Sequence, residues 1–144
     1  MKIKAFALAF ALALAMAVAP TAADAKGRRN VQVWKIADFE NNAEYMARLE
    51  GFRFQWGGGS GASMGTTESR RATNGLGKSD EQACQWALLS ALLAIKADAQ
   101  ARGGSRVVNL RSFAENTDFV STTEYQCVSG ATNSRVYIRG TIVR

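Results

Sequence analysis

The fold is decided by the stretch from residue 79 to residue 92, which reads SDEQACQWALLSAL. Ser79 and Gln82 match a capping box, and the two acidic residues between them favour the positive end of a helix. Gly103 and Gly104 provide the stop. The core positions are large apolar residues at helical spacing: Trp86, Leu88, Leu89, Leu92, Leu93 and Ile95. We therefore predict one long, largely buried helix from Asp80 to Arg102.

Strand patterns flank this helix on both sides. Before it, β-branched and aromatic residues at 31–36 and 52–56 predict two short strands around a helix at 38–49. After it, strands are predicted at 107–113, 119–128 and 135–143, with short polar connections that favour an antiparallel arrangement. The predicted fold class is α+β: a short strand-helix-strand unit, then the long buried helix packed on a C-terminal three-stranded antiparallel sheet.

Residues 57–77 differ in composition from the rest of the chain. Seven of these 21 residues are glycine, and most of the others are small and polar. A segment of this kind between two regular elements predicts a long loop, either mobile or used for binding.

The N-terminus has the three parts of a secretory signal peptide. Lys2 and Lys4 precede an apolar run at 5–19, and an Ala-Asp-Ala signal ends at Ala25. The apolar run is shorter than the roughly 20 residues that span a membrane. We predict a signal peptide at 1–25, cleavage after Ala25, no membrane span in the mature chain, and a single periplasmic domain at 26–144.

Export determines how the two cysteines are interpreted. In an oxidising compartment Cys84 and Cys127 are expected to form a disulfide. The alternative, a reactive or metal-binding pair, has no CxxC spacing and no histidine to support it, because the chain of 144 residues contains none. The absence of histidine also excludes His-dependent catalytic triads and imidazole zinc sites. No metal and no cofactor are predicted.

Basic residues give the remaining functional signal, since the formal charge is +6. The candidate anion-binding residues are Arg70, Arg71, Arg111, Arg135 and Arg139. Guanidinium groups recognise phosphate and carboxylate through paired hydrogen bonds. An anionic envelope polymer or an envelope protein is the expected partner, and nucleic acid is not.

The run SDEQACQWA at 79–87 and the run TTEYQC at 122–127 resemble a family of small exported bacterial proteins often catalogued as "excinuclease ATPase subunit". The resemblance covers the chain from about Leu49 to its end. The family usually has Gly-Ala-Asn-Ala-Val-Val after the helix, whereas residues 103–108 read GGSRVV here. More distantly, the helix cysteine and the strand cysteine resemble those of the periplasmic domain of the Rcs envelope-stress sensor lipoprotein. That resemblance implies a similar fold and a role in stress sensing.

An ATPase activity is not predicted from the residues themselves. The run NGLGKS at 74–79 is similar to the end of a phosphate-binding loop, but Ala72 stands where the motif requires glycine. The prediction is a non-enzymatic exported protein that binds the envelope or senses envelope stress. Two alternatives are kept: a hydrolase using carboxylates beneath the glycine-rich segment, and a passive structural secreted domain.

Overall fold

The computed structural model describes residues 30–144, which form a mixed α+β fold with one long helix and a curled sheet. The predicted signal peptide and its cleavage after Ala25 lie outside the described residues. The elements in chain order are β1 (Asn30–Lys35), α1 (Ile36–Glu40), α2 (Ala43–Leu49), β2 (Arg53–Trp56), β3 (Ser63–Asn74), α3 (Asp80–Ala101), β4 (Arg106–Ser112), a 3₁₀ turn (Ala114–Asn116), β5 (Glu124–Ser129) and β6 (Asn133–Val143).

The strands join into a single six-stranded sheet within the described residues, with β6 at its centre. β3 pairs antiparallel with β6 along its whole length. The opposite edge of β6 is shared, because β5 pairs with its beginning and β4 with its end. β1 then extends the sheet antiparallel to β5, and β2 extends it parallel to β4.

The α+β class is confirmed, and the predicted three-stranded sheet is wrong in its extent. β4, β5 and β6 lie where the C-terminal strands were expected. The two N-terminal strands do not form a separate unit, since each adds to this same sheet. The single helix expected at 38–49 is also two helices, because Asn42 starts the second one by accepting hydrogen bonds from the backbone N–H groups of Glu44 and Tyr45.

The glycine-rich segment at 57–77 is the main correction, since most of it is strand β3 and not a loop. The strand has twelve residues, and ten of them are paired with β6, from Ser63 opposite Val143 to Asn74 opposite Asn133. Threonine and serine, not large apolar residues, point toward the core here, and Thr67 and Ser69 are both buried. β-Branched threonine suits a strand, but these polar inward residues conceal the usual apolar alternation.

The long helix α3 forms the centre of the core, as predicted. The Ser79 hydroxyl accepts a hydrogen bond from the Gln82 N–H at 3.1 Å, which confirms the cap. Buried positions occur all around its middle: Ala83, Cys84, Ala87, Leu88, Leu89, Ala91, Leu92, Ile95, Lys96 and Ala99. Even Lys96 is buried, with its ammonium 3.0 Å from a carboxylate oxygen of Glu50. The curled sheet packs against most of the helix, which explains burial on more than one face.

A disulfide joins the start of this helix to the sheet. Cys84 of α3 and Cys127 of β5 are bonded, their Cα atoms are 5.9 Å apart, and both side chains are fully buried. The predicted pair is therefore confirmed. A buried disulfide between distant elements indicates an oxidising, non-cytoplasmic compartment. Among residues 30–144, none of the helices combines the length and apolar character that crossing a membrane requires.

Candidate anion-binding face

Side-chain alternation along β6 places its two candidate arginines, Arg135 and Arg139, on one face of the sheet. Ser134, Val136, Ile138 and Ile142 are buried on the side of α3. The residues between them point away from the helix, to the side that we call the outer face. The outer face carries Arg135, Tyr137, Arg139 and Thr141 of β6.

Strand β3 separates two adjacent arginines. Arg70 is opposite Tyr137 in the register and so lies on the outer face, whereas Arg71 is opposite Val136 and lies on the helix side. Arg71 borders a shallow cavity with Ala94 and Asp98 of α3. The structure therefore does not bring Arg71 together with the other candidate residues, because neighbouring residues in a strand point to opposite faces.

A β-bulge in β4 brings Arg111 to the outer face. The register passes from Val108 opposite Thr141 to Arg111 opposite Arg139, so one extra residue is inserted between them. Asn109 has a left-handed backbone with φ of 51°, and its N–H donates to the Gly58 carbonyl at 2.7 Å. The extra residue reverses the alternation of side chains. Without it, Arg111 would point toward the core.

Asp118 connects the two arginines that the bulge brings together. The Nε of Arg111 lies 2.9 Å from one carboxylate oxygen, and the Nε of Arg139 lies 2.8 Å from the other. A second nitrogen of Arg139 also donates to Asp118. The hydrogen bonds from Arg139 and then Arg111 hold the pKa of Asp118 below its ordinary value of 3.8. We call these three residues the outer-face bridge.

Phe113 orders the neighbouring arginines by stacking. Its ring is buried, with the guanidinium carbon of Arg139 4.7 Å and that of Arg70 5.3 Å from the ring centroid. Tyr137 packs edge-on against the same ring at 5.9 Å. Arg70 also lies 3.6 Å from the carboxylate of Glu68. Arg70 and Arg139 are thus held on one aromatic platform, which limits the side-chain entropy that binding would cost.

Arg135 is on the outer face but at its other end. It lies opposite Ala72 of β3 and Val128 of β5, four residues before Arg139 in β6. At about 3.3 Å per residue the two Cα atoms are roughly 13 Å apart. The structure therefore brings Arg70, Arg111 and Arg139 together, places Arg135 further along the same face, and excludes Arg71.

Sequence reasoning missed Asp118 and Phe113, which organise this face. Asp118 lies between two predicted strands in a polar stretch, and its partners are 7 and 21 residues away. Phe113 ends a predicted strand, and nothing in the sequence around it indicates that arginines stack on its ring. The one available signal was charge, since Asp118 is an acidic residue in a chain with an excess of arginine and lysine.

The outer face can bind anions through its guanidinium groups. The carboxylates of Asp118 on this face and of Asp98 on α3 both have a lowered pKa, which does not suit acid catalysis. Asp98 accepts a 2.6 Å hydrogen bond from the Thr67 hydroxyl, and Arg102 pairs with the same carboxylate. The Thr67 hydrogen bond, then Arg102, lowers the pKa of Asp98. A general acid at neutral pH needs a raised pKa. In the described part of the chain, no group of three or more metal-binding side chains occurs.

Comparison with known proteins finds no match to this chain among protein-family models, curated proteins or solved structures. The family resemblance therefore stays a prediction, and the functional argument rests on the residues of the chain itself.

The outer-face bridge predicts a specific pH dependence of stability. The depressed pKa of Asp118 means that its contribution is present above the pKa of the unfolded chain and is lost as pH falls through the lower, folded value. We expect Asp118→Asn to melt below the wild type at pH 6, and the difference to shrink as pH falls below about 3.9, the ordinary pKa of an aspartate in an unfolded chain. Thermal melts of both proteins across this range check the prediction, and a difference that persists undiminished in acid would contradict it.

Proposed function

We propose that this protein binds an anionic polymer of the cell envelope through the outer face of its sheet. The observation that carries the proposal is the collection of Arg70, Arg111 and Arg139 around Phe113, with Arg135 further along the same face. The four arginines are accompanied on this face by Glu68, Asp118 and Glu115, which borders a cavity with Arg70 and Tyr137, so the positive charge remains in excess. The exported, periplasmic location is part of the proposal and rests on the N-terminal sequence and the disulfide.

The donors that Asp118 does not use give this face its capacity for a ligand. Arg139 uses two of its three guanidinium nitrogens on Asp118, while Arg111 uses one on Asp118 and another on the Asn109 carbonyl. The remaining nitrogen of each can donate to a phosphate or carboxylate. Spacing along β6 favours an extended ligand with repeated charges over a small ion, because Arg135 lies well apart from Arg139.

A role in stress sensing has weaker support than binding, since it depends on the family resemblance alone. The buried disulfide is closed off from solvent, which suits a structural link better than a redox sensor. The hydrolase hypothesis is untested, and the low pKa values of Asp98 and Asp118 favour a binding role over acid catalysis. A passive structural domain is the alternative that the following experiment separates from binding.

We expect Arg70→Gln/Arg139→Gln to weaken binding of dextran sulfate and poly-L-glutamate by at least about tenfold at low salt. The matched control is Arg71→Gln/Arg48→Gln, which removes the same two charges from outside the outer face. For a polyanion, each lost contact also lowers the slope of log affinity against log salt by about one. Affinity is measured by titration calorimetry at several salt concentrations.

Equal losses in the two double variants would refute the proposal, because binding would then depend on net charge and not on the outer face. Undetectable binding of both polymers to the wild type would refute it too, and would favour the passive structural domain. A preference for dextran sulfate over poly-L-glutamate would assign the ligand to sulfated or phosphorylated polymers, and the reverse preference to polycarboxylates. Thermal melts of all three proteins ensure that the losses compared come from folded chains.

A further inference from the structure

A second concave site lies between the two short helices and strand β2. It is a cavity of about 550 Å³, within the range of small-molecule binding sites. Its walls are mainly apolar: Phe39, Leu49, Phe52, Phe54, Leu92 and Val107. These residues lie on the helix side of the sheet, so the apolar part of this cavity is separate from the arginine-bearing outer face.

Several apolar side chains at the cavity are left in contact with solvent. Phe52 and Phe54 pack against each other with ring centroids 5.1 Å apart, yet both are only half-buried. Met46, at the exposed side of the lining, has 40% of its surface accessible. Phe39, Leu49 and Leu92 behind them are almost fully buried. The cavity is therefore an opening into the core, with an apolar floor and an apolar rim.

The charged residues of the lining are predominantly basic. Arg53 of β2 and Arg106 of β4 are opposite each other in the parallel register, and both border the cavity. Because side chains alternate along a strand, both arginines point to the side of the sheet opposite to Phe54 and Val107, at the open edge of β2. Adjacent strands are about 4.8 Å apart, so the two guanidinium groups can reach one anion there. Arg106 donates one nitrogen to the Ser60 carbonyl at 2.8 Å, which holds the side chain in place. Glu40 is the acidic residue of the lining.

We propose that this cavity binds an amphiphile, namely a linear acyl or alkyl chain that ends in a carboxylate or a phosphate. The chain lies among Phe39, Leu49 and Phe54 and passes over the open edge of β2, so that Arg53 and Arg106 hold the anionic end on the other side of the strand. Charge complementarity selects the sign of the head group, because the two arginines outnumber Glu40.

An extended peptide added to the open edge of β2 is the competing occupant, and the strand itself argues against it. β2 has only four residues, and its register with β4 is broken between Phe54 and Trp56. A short strand with an irregular register is a poor template for adding another strand. An acyl chain needs no backbone partners, so this irregularity does not affect its binding.

The test uses amphiphiles with one alkyl tail, below their micelle concentrations, and the whole predicted mature protein, residues 26–144. We expect dodecanoate and dodecyl phosphate to bind at least tenfold more tightly than dodecyltrimethylammonium, which has the same tail and the opposite charge. Butanoate should bind at least tenfold more weakly than dodecanoate, because its tail is too short to cover the apolar walls. Calorimetry gives the affinities. Trp56 lines the cavity, so ligand binding should also change the tryptophan fluorescence of the chain, to which Trp34 and Trp86 contribute as well. The carboxylate and phosphate arms distinguish a fatty acid from a phospholipid-like source.

Two pairs of variants localise the binding. Met46→Glu should reduce dodecanoate affinity at least tenfold. Leu76→Glu also replaces an exposed apolar residue by glutamate, but outside the lining, and should leave the affinity unchanged. Arg53→Gln should weaken both anions about tenfold without weakening the cationic probe, and Arg48→Gln is its control. Both test residues are exposed, so the variants are expected to fold.

Equal behaviour of Met46→Glu and Leu76→Glu would overturn the proposal, as would equal affinity for the cationic and anionic probes. Binding of an alternating Val-Glu peptide by a protein that ignores dodecanoate would overturn it in favour of strand addition. The Arg70→Gln/Arg139→Gln variant should bind dodecanoate normally. The amphiphile site and the polymer-binding face can therefore fail independently of each other.

Discussion

The double substitution Cys84→Ala/Cys127→Ala is expected to lower the free energy of unfolding by about 4 kcal/mol in the chain-entropy model of disulfide stabilisation. For a domain of this size, that loss lowers Tm by roughly 10–20 °C. The bond joins residues 43 apart in sequence, and so removes considerable freedom from the unfolded chain. A total stability of about 5–15 kcal/mol is typical, so the loss is a large share of it.

Alanine is a better replacement than serine at this site. The Cys84 sulfur is fully buried, 3.4 Å from the Ser129 hydroxyl. A serine would add a buried hydroxyl beside an existing network with Ser134, and would mix a polar effect with the loss of the bond. Alanine leaves a small cavity instead and introduces no new polar group into the core.

Reduction provides the control for this prediction. The wild type melted in dithiothreitol should approach the Tm of the double variant, whereas dithiothreitol should leave the double variant itself unchanged. Circular dichroism melts with and without the reductant measure both effects. If the reduced and oxidised wild type melt together while mass spectrometry confirms reduction, the disulfide is not a stabilising element and the prediction is wrong.

Local signals in the sequence predicted the elements whose formation depends on neighbouring residues. The cap at Ser79 and the glycines after α3 mark the helix ends within one or two residues. The cysteine pair was predictable because the signal-peptide pattern predicts export, and an oxidising compartment restricts what two cysteines can do. The order of the strands in the sheet was not predictable. β1 pairs with β5 across almost 100 residues, and nothing in the sequence of either strand identifies its partner.

The candidate site was predictable in its residue type and not in its arrangement. Arg70 and Arg71 look equivalent in the sequence, but strand β3 places their side chains on opposite faces of the sheet. The glycine-rich composition of this segment predicts a loop, in which the two side chains would have no fixed faces. Arg111 lies on the outer face only because of the bulge in β4. An asparagine at position 109 does not by itself predict the left-handed backbone that this bulge contains. Correct assignment of β3 would have separated the two adjacent arginines. Prediction of the bulge would have required the register between β4 and β6, which only the structure gives.

Gly140 is the residue that allows the bulge in β4 to pack against β6. A Cβ built at this position would lie 2.8 Å from a methyl carbon of Val107, 3.0 Å from the Val108 carbonyl oxygen and 3.3 Å from the Leu110 Cα. Two of these atoms belong to backbone, so a rotamer change cannot relieve the contacts. We expect Gly140→Ala to destabilise the protein by about 3 kcal/mol, the upper part of the range for overpacking. Tm should fall by roughly 10 °C.

The same substitution should also disturb the outer-face bridge, because Gly140 directly follows Arg139 and faces the bulge that orients Arg111. If β4 moves away from β6, Asp118 can no longer hold both arginines at 2.8–2.9 Å. The acid-sensitive part of the stability assigned to Asp118 should then shrink in Gly140→Ala. Melts of Gly140→Ala and Gly140→Ala/Asp118→Asn at pH 6 measure this coupling, and the added Asn should cost less than it does in the wild-type background.

Gly58→Ala is the matched control for Gly140→Ala. Gly58 also lies beside the bulge, where its carbonyl accepts the Asn109 N–H, but a Cβ there would have no atom within 4 Å. Its Tm should stay within about 2 °C of the wild type, since surface substitutions of this kind cost under roughly 0.5 kcal/mol. Equal melting of the two alanine variants would show that β4 tolerates a side chain at residue 140, and that close packing at Gly140 does not determine where Arg111 lies.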